Sequence, residues 1–211
     1  NLCAHLQELG IRRGDRVALY SRNCPDYVEA LLAILQMGAV HVNVNFRYTS
    51  GELCHVFANS GSRAVFVSSE FAGRLAGILD ALPALDACVV IGDADVPRGI
   101  RGIRHEDTVA SMPRAPRYSS DPDDIFLMYT GGTTGLPKGA IWTQDKLFRM
   151  FGVNYFASGG PRYPADNDDL LRMLRNNECY TEAVVAPMMH GLGVYSVLCT
   201  LSDRKSTRLN S

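Results

Sequence analysis

Short apolar runs alternating with helix-length segments constrain the fold of this chain more than any other feature. Val17 to Tyr20, Ala64 to Val67 and Cys88 to Ile91 read as buried strands. Val40, Val42 and Val44 alternate with His41, Asn43 and Asn45, which predicts a strand of period two. Helical patterns lie between them. Leu2, Leu6 and Leu9 recur at helical spacing ahead of Gly10. Pro25 suits a first helical turn that Tyr27 to Met37 continues. Thr49 and Glu52 have capping-box spacing before a helix over Leu53 to Asn59, which Gly61 ends. Phe71 to Leu82 predicts a further helix. Strand–helix–strand order of this kind needs crossover connections, so the expected fold class is α/β, with mostly parallel sheets flanked by helices. From Gly92 to Asp124 the periodicity fades and Pro97, Pro113, Pro116 and Pro122 intervene, so residues 93–124 read as a linker.

Chemistry is concentrated in Tyr129-Thr130-Gly131-Gly132-Thr133-Thr134-Gly135-Leu136-Pro137-Lys138-Gly139, which follows an apolar run, Ile125 to Met128, that reads as a strand. Glycines let the backbone approach a ligand closely and adopt positive φ. Threonine hydroxyls and consecutive backbone N–H groups share one small volume, and Lys138 stands at its exit. Such a set holds a polyphosphate, with the lysine adding a mobile charge. The stretch is neither a Walker A loop nor G-x-G-x-x-G. The competing reading is a Gly/Thr-rich turn with no ligand. Ala140 to Trp142 then reads as a short strand and Asp145 to Phe156 as an amphipathic helix.

A second element, Pro187-Met188-Met189-His190-Gly191-Leu192-Gly193, lies between a strand read over Ala183 to Ala186 and an apolar helix read over Val194 to Leu201. A strand end that turns at Gly191 puts His190 at the lip of a crevice, where open α/β sheets bind ligands. A histidine there can meet a carboxylate near neutral pH. The same residue also fits a helix-capping or core role.

These two stretches resemble the signatures of the adenylate-forming superfamily: acyl-CoA synthetases, peptide-synthetase adenylation domains and luciferases. The family pattern Tyr/Phe-Thr-Ser-Gly-Ser/Thr-Thr-Gly-x-Pro-Lys-Gly is matched at every position but one, where Gly131 replaces the usual serine. The downstream stretch resembles the family's Pro-x-x-His-x-x-Gly element, which borders the acyl pocket. Asn43, Asn45, Phe46, Arg47 and Tyr48 resemble a segment of fatty acyl-CoA synthetases and are expected to shape a turn.

The resemblance implies an acid–thiol ligase. ATP and a carboxylic acid give an acyl-adenylate and pyrophosphate, and coenzyme A then takes the acyl group. Thr130, Gly131, Gly132, Thr133, Thr134, Gly135 and Lys138 would hold the ATP phosphates with Mg2+, which Thr133 or Thr134 would ligate. His190 and Gly191 would line the acid site. Gly131 with Ile141 and Trp142 looks most like actinobacterial synthetases for fatty or sterol side-chain acids. An aryl-acid or amino-acid adenylation domain is the alternative within the class; a phosphotransferase or a non-catalytic nucleotide-binding protein lies outside it. The resemblance covers residues 1–202 as a partial N-terminal domain. The family's Tyr-Gly-x-Thr-Glu segment, ribose-binding aspartate, hinge and lysine-bearing lid do not occur before Ser211. No catalytic residue is therefore assigned, and the chain by itself is expected to be inactive. Residues 203–211 break abruptly from the apolar helix. One choice of codons for them reproduces a common sequencing adapter, so they are read as foreign sequence, or else as a basic surface tail.

Composition excludes other classes. A net charge of −1 gives no electrostatic case for nucleic acid. The six cysteines are scattered without C-x-x-C, which argues against metal ligation or a disulfide framework and for a reducing compartment. No apolar stretch reaches the roughly 18 residues of a membrane span. The expected location is cytoplasmic, or peripheral to a membrane. The start at Asn1 leaves a targeting segment open, and the oligomeric state is open as well. His5, His41, His55 and His105 show no helical metal-site spacing and read as structural or exposed.

Overall fold

The computed structural model describes residues 1–110, 121–131, 135–147, 149, 168–169, 172, 181–184, 186–202 and 206–209. Its main sheet contains β1 (Arg16–Tyr20), β2 (Val40–Asn43), β3 (Ala64–Ser68), β4 (Ala87–Ile91), β5 (Arg101–Arg104), β6 (Ile125–Thr130) and β7 (Lys138–Thr143). Their order is β5-β4-β3-β1-β2-β6-β7. Neighbouring strands run parallel except β6 and β7, which form an antiparallel hairpin. Helices whose bounds are described include α1 (Leu2–Glu8), α2 (Pro25–Gln36), α3 (Ser50–Ser60), α4 (Ser69–Ala76), α5 (His105–Ala110) and α6 (Gly191–Ser202). A separate pair, β8 (Thr181–Val184) and β9 (Ser206–Leu209), is parallel.

Side chains along each central strand alternate between two cores. Val17 and Leu19 pack with residues of α1, α2 and α6, whereas Ala18 and Tyr20 pack with α3 and α4. A parallel sheet covered on both faces has no solvent side. The period of two in β2 therefore separates two buried faces, and His41 and Asn43 are as buried as the valines.

Local signals set the helix ends. Thr49 and Glu52 make both bonds of the capping box: the Thr49 N–H donates to Glu52 Oε2 at 2.8 Å, and the Glu52 N–H to Thr49 Oγ1 at 3.3 Å. Gly61, at φ 61°, closes α3 in the left-handed region. Pro25 opens α2.

Several expectations are corrected. The helix read over Phe71 to Leu82 stops at Ala76, before Gly77, and a 3-10 turn at Leu79–Ala81 follows. Glycine is a poor helix former, and the tighter turn still buries Leu82. The segment read as a linker over 93–124 contains β5 and α5. Strand β5 carried no apolar signal because it is an edge strand with Arg101 and Gly102 exposed. It lies so close to β4 that a Cβ on Gly102 would collide with the Cys88 carbonyl. His105 is not in a linker but opens α5, buried, with Nδ1 3.0 Å from Asp26 and Nε2 3.4 Å from Glu29 of α2. Helix α6 begins at Gly191 rather than Val194, and β8 lies two residues before its expected span. The helix read over Asp145 to Phe156 is seen at residues 144–147 and 149, and the rest lies outside the described residues. In the segment read as foreign or as a tail, Ser206–Leu209 runs beside β8.

Candidate functional site: a Gly/Thr-rich hairpin beside the His190 turn

Strand β6 carries the Gly/Thr-rich stretch to one end of the sheet and β7 brings it back. Thr130 and Lys138 are register partners at the mouth of this hairpin, and both are exposed. A Cβ built on Gly131 or Gly135 would meet no atom within 4 Å, so the space beside each of these two glycines is open. Gly135 sits at φ 150°, where a side chain would be strained. Thr130, Gly131, Gly135 and Lys138 are thus placed together. Gly132, Thr133 and Thr134 lie outside the described residues. Exposed hydroxyl, lysine and open glycine backbone suit an anionic phosphate chain.

Other residues of the same stretch are structural. The Tyr129 ring covers Gly139, where a Cβ would lie 2.9 Å from Tyr129 Cε2. Its hydroxyl donates to Asn59 Oδ1 of α3 at 2.6 Å, and burial pushes its pKa up, keeping the proton on. One turn earlier on α3, His55 Nε2 lies 2.9 Å from the Pro137 carbonyl. The hairpin therefore rests on α3, whose start the capping box fixes.

The second element is a turn that enters α6. The His190 N–H donates to the Pro187 carbonyl at 3.0 Å, and the Val194 N–H donates to the His190 carbonyl at 3.3 Å. His190 is exposed and immediately precedes the helix; Gly191 follows it, half-buried. Gly193 is needed for closure, since a Cβ would lie 2.5 Å from the Pro187 oxygen and 2.6 Å from that of Ala186.

Three side chains clamp this turn. Asn23 Nδ2 donates to the Ala186 carbonyl at 3.1 Å, and the Met188 N–H donates to Asn23 Oδ1 at 2.7 Å. The Tyr27 hydroxyl donates to the Met188 carbonyl at 3.1 Å, and burial pushes its pKa up. Asn43 reaches both elements: its Nδ2 donates to the carbonyls of Tyr129 at 2.8 Å and Met189 at 2.6 Å, and its Oδ1 accepts from the Tyr129 N–H. Trp142 of β7 and Tyr195 of α6 add a ring contact at 5.6 Å. The sequence reading expected Asn43 to shape a turn and His55 to be structural or exposed, gave Tyr27 and Asn59 no role beyond their helices, and passed over Asn23. A carboxamide inside a strand with apolar neighbours was the available signal, because a buried amide must find partners.

Among the described residues no cluster of His, Cys, Asp and Glu could hold a metal, and Cys3, Cys24, Cys54 and Cys88 are free. No helix among them is long and apolar enough to cross a membrane.

The family described as AMP-binding enzyme matches residues 1–205. The chain belongs to the AMP-binding enzyme family. Among relatives of this chain is a medium/long-chain-fatty-acid–CoA/3-oxocholest-4-en-26-oate–CoA ligase of Mycobacterium marinum, 34% identical over 198 residues. That match covers 90% of this chain and 36% of the relative. A 3-oxocholest-4-en-26-oate–CoA ligase of Rhodococcus rhodochrous is 33% identical, over 90% of this chain and 35% of the relative. The chain thus spans about a third of the length of the curated relatives it matches. In fold it resembles a solved anthranilate CoA ligase, with a TM-score of 0.80 at 22% identity over 100% of this chain and 38% of that one. A fatty acyl CoA synthetase of Mycobacterium tuberculosis gives a TM-score of 0.68 at 23% identity over 98% of this chain and 36% of that one.

Proposed function

We propose that this AMP-binding chain forms the phosphate loop and one wall of the acid pocket of an ATP-dependent acid–CoA ligase acting on a fatty or sterol side-chain acid. The observation that carries the reading is the hairpin that sets Thr130 opposite Lys138, tied through Asn43 to the turn that presents His190. The names of the mycobacterial and rhodococcal relatives support the substrate class.

In this reading the acid's carboxylate oxygen bonds to the α-phosphorus of ATP and the bond to pyrophosphate breaks. The thiol sulfur of coenzyme A then bonds to the acyl carbon, AMP leaves, and the thiol proton is released. Bringing two anions together is mainly a matter of positioning and charge neutralisation. The Thr130 hydroxyl and the N–H groups of the loop hold the β- and γ-phosphates, and Lys138 offsets their charge. Thr133 or Thr134 is the proposed hydroxyl ligand for Mg2+, which would supply further charge neutralisation. His190 and Gly191 line the approach of the acid. The test is carboxylate-dependent exchange of labelled pyrophosphate into ATP by the intact protein containing this chain. Exchange with fatty or sterol side-chain acids is expected. Transfer of the γ-phosphate, with no exchange for any acid in a broad panel, would refute the reading.

A further inference from the structure

We propose that Asn43 is a positioning residue that couples nucleotide binding at the hairpin to acid binding at the His190 turn. The functional half of this proposal rests on the ligase reading above. Asn43 is 1% exposed; its Nδ2 donates to the carbonyls of Tyr129 and Met189 and its Oδ1 accepts from the Tyr129 N–H. Strands β2 and β6 are in register at Val42 and Leu127; beyond that pair the side chain of Asn43 takes the place of a neighbouring strand, giving Tyr129 both a donor and an acceptor. The same nitrogen also holds Met189. Tyr129 directly precedes Thr130, and Met189 directly precedes His190. Each ligand-facing residue is thus one peptide away from a single amide group.

Energetic coupling travels through such contiguous hydrogen-bonded contacts, and it is reciprocal. A ligand that shifts β6 must move Asn43 or break its bonds, and either event reaches the His190 turn. Asn23 supplies the internal comparison. It holds the same turn at Ala186 and Met188 from the loop after β1, with no bond to β6 among those described. Loosening the turn and disconnecting it from the hairpin are therefore separable.

The experiment uses the intact ligase with Mg2+, a non-hydrolysable ATP analogue and decanoate as the acid probe. The coupling factor is the ratio of decanoate Kd without and with the analogue; coupled sites usually give about 5- to 150-fold. Asn43→Ala is expected to bring the factor close to one. Asn43→Asp, which keeps an acceptor for the Tyr129 N–H but loses both donated bonds, should do the same. Asn23→Ala should weaken decanoate binding while leaving the factor within about twofold of the unaltered enzyme, since the Asn43 link remains. A folded Asn43 variant with full coupling overturns the proposal, as does an Asn23→Ala enzyme that loses coupling equally. Hydrogen exchange on the unaltered enzyme needs no variant: decanoate alone should slow exchange of the Tyr129 amide, and an unmoved Tyr129 counts against the link. Pyrophosphate exchange without any coupling sinks this proposal alone. A protein that neither exchanges pyrophosphate nor binds the analogue sinks the ligase reading as well.

Discussion

His41 stacks on Phe126 with ring centroids 4.3 Å apart and has no exposed surface. Burial pushes its pKa down to about 3, with the Leu127 backbone pulling the other way. Its pKa in the unfolded chain lies near 6.5, so between these values the unfolded state binds the extra proton. Stability is fully present above about pH 6.5 and is lost as pH falls towards 3. At pH 5 the loss is about 2 kcal/mol from this residue. Urea unfolding from pH 7 to 4 should show that slope, and His41→Leu should flatten it; an unchanged slope would remove His41 from the account. Lys138 presents the opposite case, being exposed on β7. Lys138→Ala should leave the melting temperature within a degree or two, yet cost roughly 30- to 150-fold in kcat/KM of the intact enzyme. A collapsed melting temperature with normal rates in the folded fraction would reverse that assignment. Gly131→Ser, which restores the usual family residue where nothing lies within 4 Å, should be accepted without loss of stability, as a thermal melt would show.

Helix α3 stands between folding and function because it supports the hairpin through His55 and Asn59 while its own start depends on Thr49 and Glu52. Thr49→Ala should cost about 1 kcal/mol in denaturant unfolding. Unchanged stability would show that the box is redundant. This helix was legible in the sequence because its signals are local: a hydroxyl, an acid three residues on, and a glycine past the end. The same holds for α2, with Pro25, and for the strands that alternate between two apolar faces. Elements whose signals are tertiary were hidden. Strand β5 is an edge with arginines at both ends and a glycine required by Cys88, so no period marks it. The early start of α6 depends on Gly193 fitting against the carbonyls of Ala186 and Pro187, a contact between residues that no helical pattern relates. In the site, residue types suggested the chemistry proposed for Thr130 and Lys138, but which side chains hold the loops in place depended on contacts such as Asn43 to Met189, 146 positions apart.

At the scale of the molecule, the β7 end of the sheet and the mouth of the site coincide. Among the described residues no strand pairs with the outer side of β7, and Ile141, Leu136 and Leu192 are 64%, 53% and 71% exposed. Expressed as residues 1–211, the chain is expected to self-associate through this edge. Sedimentation tests this, and a monomer at all concentrations would contradict it. The packing of Tyr129 over Gly139 has a different kind of consequence. One eleven-residue stretch answers to two masters: Tyr129 and Gly139 serve the hairpin, while Thr130 and Lys138 would serve the ligand proposed for it. A descendant that abandoned the chemistry would still be held to the first pair by its need to fold, and free to drift at the second. The hairpin's outline would then outlive its purpose, and a search tuned to that outline would go on finding proteins that no longer do anything with it.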